Sequence, residues 1–97
     1  MKTYILKRPV YNSVDFPMGT IVKHITEHCR CFEVVEGKQK GEKGDIADGL
    51  FEYDFVCDDT QENRKLIKQF QDKEDELEYQ RQENYKFLDN IPSSKKP

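Results

Sequence analysis

Hydrophobic and polar positions change their rhythm partway along the chain. Over the first part they recur at the short period of strands. Residues 4–8, Tyr-Ile-Leu-Lys-Arg, are apolar enough for a half-buried strand, and Pro9 marks an edge or an ending. Asn12-Ser13 and Pro17-Met18-Gly19 are turn signals: proline presets one turn dihedral and glycine accepts positive φ. Residues 20–26 are rich in β-branched side chains, 29–35 follow after a short gap, and that spacing predicts a hairpin. Residues 50–57 alternate strictly. Phe51, Tyr53, Phe55 and Cys57 fall on one side, Glu52 and Asp54 on the other, which predicts the clearest strand of the chain. Between them, residues 37–45 hold three glycines and no apolar side chain, and read as a mobile loop with nothing to anchor it.

From residue 60 to residue 90 there is neither glycine nor proline, and Pro92 ends the run. Asp59 with Glu62 has capping-box spacing, as has Thr60 with Asn63 more weakly, so the pattern predicts one long helix. At 1.5 Å per residue it is about 45 Å long, against about 25 Å for a compact domain the size of the preceding sheet. At 100° per residue, Leu66, Phe70, Leu77, Leu88 and Ile91 share a narrow arc, flanked by Ile67, Tyr85 and Phe87. Polar residues, among them Lys73, Gln80, Arg81 and Asn84, interrupt the middle of that stripe. The expectation is an α+β protein: a small antiparallel sheet or partly closed β-barrel over residues 1–57, a long charged helix over 58–91 and a flexible tail over 92–97.

Composition narrows the function classes. A chain of 97 residues holds one domain with an appended helix and excludes large folds such as a barrel enzyme or a complete dinucleotide-binding domain. Charged residues reach 36% against 35% hydrophobic, so any core is small. Net charge is −3, concentrated in 58–91, and the absence of a basic surplus argues against a generic nucleic-acid binder. No apolar run approaches a membrane span, and the first residues carry charges too closely for a signal peptide. The expectation is a cytoplasmic protein with reduced thiols, its cysteines being three in number.

Chemistry-bearing residues are few. His24, His28, Cys29, Cys31 and Cys57 are the soft metal ligands, but no CxxC pair or other zinc spacing organises them, and no metal or cofactor is expected. Cys29 or Cys31 beside His24 is the one nucleophile-base pairing to weigh, and nothing orients the imidazole. Asp58 and Asp59 read as helix-start residues favoured by the dipole, and Asp75-Glu76 diverge on a helix. Lys38, Lys40 and Lys43 lie among glycines without Walker spacing; with exposed aromatic residues on the sheet they could hold phosphate or a single strand of nucleic acid. The acids between Asp72 and Glu83 could imitate DNA, but they stand about 3 Å apart along a helix axis, against about 1.7 Å per charge on a duplex.

The combination of short polar chain, small sheet, long charged helix and lysine-bearing tail resembles the small accessory proteins of bacteriophages and mobile elements. That resemblance of kind rests on no motif and transfers no site residue. It implies a non-enzymatic protein that binds and inhibits a host or defence protein. The expected partner-binding residues are Leu77, Tyr85, Phe87, Leu88 and Ile91, which would dock on a target protein or on a second copy as a homodimer.

Overall fold

A computed structural model describes residues 2–25, 30–52, 54–76 and 91–94, with backbone alone over 72–76. The elements run β1 (Thr3–Leu6), β2 (Val10–Tyr11), β3 (Asp15–Phe16), β4 (Ile21–His24), β5 (Cys31–Val34), β6 (Lys43–Asp45), β7 (Val56–Asp58) and α1 (Gln61–Glu76). Five strands form one sheet in the order β6-β5-β4-β1-β7, and β2 and β3 form a separate two-stranded hairpin. All pairings are antiparallel, and the sheet is not closed into a barrel. The architecture is a small antiparallel sheet followed by a C-terminal helix.

Both faces of β1 are buried, which is why its sequence is continuously apolar rather than alternating. Tyr4 and Leu6 join Val22, Phe32, Val34 and Val56 in one cluster, roofed by Val10 and Phe16 of the small hairpin and by Ile46 and Leu50. Phe16 meets Phe32 edge-on with ring centroids 5.1 Å apart. On the other face Ile5, Ile21 and Cys57 pack under Ile67 and Phe70 of α1. The hairpin expected between 20–26 and 29–35 is present as β4-β5, in a register that pairs Val22 with Val34 and His24 with Phe32.

Four expectations need correction. Residues 50–52 and 54–55 are turn and loop, not strand: Gly49 has φ +102°, Asp54 has φ +61°, and the strand begins only at Val56. Phe51 and Phe55 pack on the first cluster, whereas Cys57 belongs to the second, across the sheet. The alternation arises from a loop that folds Leu50 and its neighbours inward. Second, residues 43–45 are edge strand β6, paired with β5. Its sequence carries no apolar residue because its role is close approach: a Cβ on Gly44 would stand 2.6 Å from Phe32 Cζ and 2.7 Å from Phe16 Cε2.

Third, the cap of α1 is Thr60, whose Oγ1 accepts from the Asn63 amide at 3.1 Å, while Asp59 pairs with Arg64 and accepts from the Thr3 hydroxyl. Fourth, 92–94 do not begin a free tail. Ser93 bridges to Cys57, and the Ser94 amide donates to the Val56 carbonyl. Ile91 is thereby held in the cluster with Ile67 and Phe70, so the chain is back at the sheet by residue 91.

Candidate docking surface

The sequence-derived residues fall in different places. Leu77, Tyr85, Phe87 and Leu88 lie outside the described residues, as do His28, Cys29 and Tyr53. Ile91 is 2% exposed, against Ile5, Cys57, Ile67 and Phe70, so its side chain serves the chain's own core rather than a partner. The three lysines stand on the β5-β6 hairpin but do not converge. Lys38 borders an open cleft of about 620 Å³ with Met18, Glu36 and Gln71, and Lys43 borders a separate depression of about 500 Å³ with Asn12 and Asp45. Lys43 also sits opposite Glu33, whose carboxylate is 3.3 Å from Lys23 across the next strand. Each concavity thus mixes signs rather than concentrating positive charge.

The aromatic side chains of the main sheet give the lysines no platform, since Tyr4 and Phe32 are buried, as is Phe16 of the small hairpin. Because His24 is opposite Phe32, it lies on the face away from Cys31, and the imidazole and thiol do not meet. Its ring meets Phe51 edge-on, and its buried Nε2 has no hydrogen-bond partner among the described residues. Cys57 is wholly buried, and desolvation pushes its thiol up to about 12, against the weaker opposing pull of Lys7. Such a thiol is not a nucleophile in the closed fold. Among the described residues, no three His, Cys, Asp or Glu side chains gather as metal ligands, and no helix is long and apolar enough to cross a membrane.

Two arrangements were missed by the sequence reading. The first is a buried lysine. Lys7 is 1% exposed; its Nζ donates to Asp54 Oδ1 at 2.5 Å and to the Ile91 carbonyl at 2.7 Å. An ammonium removed from water needs such partners. They lie far along the chain, and no local pattern announces them.

The second arrangement is the tip of the β2-β3 hairpin. Val10 pairs with Phe16 and Tyr11 with Asp15. Since Val10 and Phe16 point into the core, strand alternation sends Tyr11 outward. Tyr11 is 73% exposed and Val14 42% exposed, and they are the exposed large hydrophobic side chains among the described residues. The hairpin is too short to be stable alone, and it is braced from outside. The Asn12 side chain donates to the Asp45 carbonyl at 3.2 Å and accepts from the Asp45 amide at 2.9 Å, imitating a neighbouring strand. Gln39 Nε2 donates to the Asp15 carbonyl at 2.8 Å. An exposed aromatic side chain on a backbone fixed at both strands has little entropy left to lose on binding. The signal available in the sequence was Tyr11 itself, an aromatic residue beside the Asn12-Ser13 turn.

The chain matches no family model, no curated protein and no solved structure.

Proposed function

We propose that this chain is a non-enzymatic interaction protein that docks on another protein and modulates it. The tip of the β2-β3 hairpin supplies the contact. The observation that carries this reading is the pair Tyr11 and Val14, exposed on a hairpin held by Asn12 and Gln39. Tyrosine combines a large apolar ring with a hydroxyl that tolerates water, and is enriched among the few interface residues that carry most binding energy. The hairpin presents it without the ordering cost of a flexible loop. The lysine-based nucleic-acid reading draws less support, since Lys38 and Lys43 border separate concavities that each contain a carboxylate. The acidic segment 72–83 has no described side chains on which to rest a mimicry argument.

The test is affinity capture from extract of the source cell by the parent chain and by a Tyr11→Ser, Val14→Ser variant, with the retained proteins compared by mass spectrometry. Both substitutions are on the surface, so the variant keeps the parent's circular dichroism. A protein held by the parent should be lost by the variant, with affinity down about 30-fold or more for a central aromatic anchor. An unchanged set of retained proteins, at unchanged affinity, contradicts the proposal.

A further inference from the structure

The exposed face of the β2-β3 hairpin carries a second chemical group beside the Tyr11 ring. Tyr11 pairs with Asp15 across the hairpin, and directly opposite residues share a face. Both are exposed, while the adjoining pair, Val10 and Phe16, is buried. The Asn12 amide donates to the Val14 carbonyl at 3.3 Å, which makes residues 12 and 14 a hydrogen-bonded pair. Bonded and non-bonded pairs alternate along an antiparallel ladder, so Tyr11 and Asp15 form a non-bonded pair, the kind whose side chains stand closest. The Asp15 carbonyl agrees, since it points away from β2 and accepts from Gln39 Nε2 at 2.8 Å. The Asp15 carboxylate is uncommitted among the described residues: none of their ammonium or guanidinium groups lies within 4.0 Å of it, those of Lys38 and Lys40 beside Gln39 included.

We propose that this pair is the seat for an arginine of the partner, whose guanidinium lies over the Tyr11 ring and donates to the Asp15 carboxylate. The inference rests on the reading that the hairpin tip is the docking contact, and it names the partner's chemistry: a protein with an exposed arginine next to an apolar side chain that covers Val14. A ring and a carboxylate side by side match the two ways a guanidinium binds. Its flat surface stacks on aromatic faces, and the donors along its edge fork onto a carboxylate. Lysine fits less well, because its ammonium is more strongly hydrated and has no plane to stack. The seat holds a negative charge without an ion pair among the described residues, so an incoming cation meets no competitor there. Asn12 and Gln39 fix the backbone beneath both groups, so little ordering is left to do when the arginine arrives.

The test titrates the full chain with N-acetyl-arginine-N-methylamide and follows the Tyr11 ring and Asp15 carboxyl signals by NMR. The citrulline analogue serves as the uncharged isostere and the lysine analogue as a second cation, all at matched ionic strength. The arginine probe should bind the parent about tenfold more tightly than the citrulline probe, the combined scale of a surface ion pair and an exposed cation–π contact, with lysine in between. Asp15→Asn should bring arginine down to the level of citrulline. That substitution spares the brace, because Gln39 bonds the Asp15 backbone carbonyl and not its side chain. Tyr11→Phe should hold arginine within about twofold of the parent, since the quadrupole belongs to the ring, and Tyr11→Ser should lose it. Equal binding of arginine and citrulline by the parent overturns the proposal. So does an arginine preference that survives Asp15→Asn, or arginine-induced shifts that spare Tyr11 and gather on α1. The titration needs no partner, so its failure is separable from that of the docking reading. A captured protein lost with Tyr11→Ser, Val14→Ser but held at full affinity by Asp15→Asn leaves the docking reading standing and removes the arginine.

Discussion

The β6 and β7 edges of the sheet face the same physical hazard and meet it by different means. An exposed edge offers unpaired amides and carbonyls to any passing strand. At β6 the outward-facing amide and carbonyl of Asp45 are taken by one side chain, Asn12, and the strand is short, charged and pressed against Phe16 and Phe32 through Gly44. At β7 the cover is a piece of backbone, residues 91–94, fastened by Lys7 and Asp58. The clasp at β6 joins elements packed on the first cluster, whereas the strap of residues 91–94 adds Ile91 to the second. The β6 edge, braced by side chains on both sides, therefore suits the presentation of a fixed docking tip.

Gly44 is where this contrast breaks most severely. In Gly44→Ala the new Cβ meets Phe32, Phe16 and the Asn12 Oδ1 at 2.6 to 2.9 Å, and both rings belong to the core. Overpacking of this kind costs about 3 kcal/mol, and chemical denaturation should show the loss as a lower midpoint at unchanged slope. Asn12→Ala is milder, removing two hydrogen bonds and leaving Asp45 open to water, for about 1 kcal/mol of stability. Its sharper effect is on function: the hairpin tip loses its brace, so partner binding through Tyr11 should weaken although Tyr11 is untouched.

How far these features could be read beforehand follows from the range of the interactions. The β4-β5 hairpin was legible because Ile21, Val22 and Val34 signal it locally. Strand β6 was not, since Lys43-Gly44-Asp45 has no propensity of its own and is made a strand by β5 and by the space Gly44 leaves. Residues 50–57 misled because an inward-folding loop and a half-buried strand write the same alternation; the left-handed turn at Asp54 distinguishes them, and asparagine and aspartate tolerate that region best among non-glycine residues. The candidate site was hidden for a related reason. Tyr11 becomes an exposed anchor only once Asn12 reaches Asp45, 33 positions away. Ile91 looked like surplus apolar surface until its pocket was in view.

Acid gives the smallest and most graded test of the two edges. The Ser94 hydroxyl, with Lys2 beside it, holds the Asp58 carboxyl below its ordinary value of 3.8, and Arg64, with Thr3, does the same for Asp59. Both groups favour the native state when charged, so their contribution is complete above about pH 4 and fades as pH falls through the lowered native values. Stability measured by urea midpoint should therefore decline below pH 4. Asp58→Asn should flatten part of that decline and Asp59→Asn another part. Asp58 is half solvent-exposed, which keeps its share modest.

The most direct measurement of the contrast is native-state hydrogen exchange followed against urea. The Ser94 amide donates to Val56 across the strap, and the Ile46 amide donates to Arg30 where the chain leaves β6. The account predicts that Ser94 exchanges through a local opening with almost no urea dependence, while Ile46 exchanges with a slope approaching that of global unfolding. Equal slopes and equal opening free energies at the two amides would contradict it, because the strap would then be as integral to the fold as the edge that carries the docking tip.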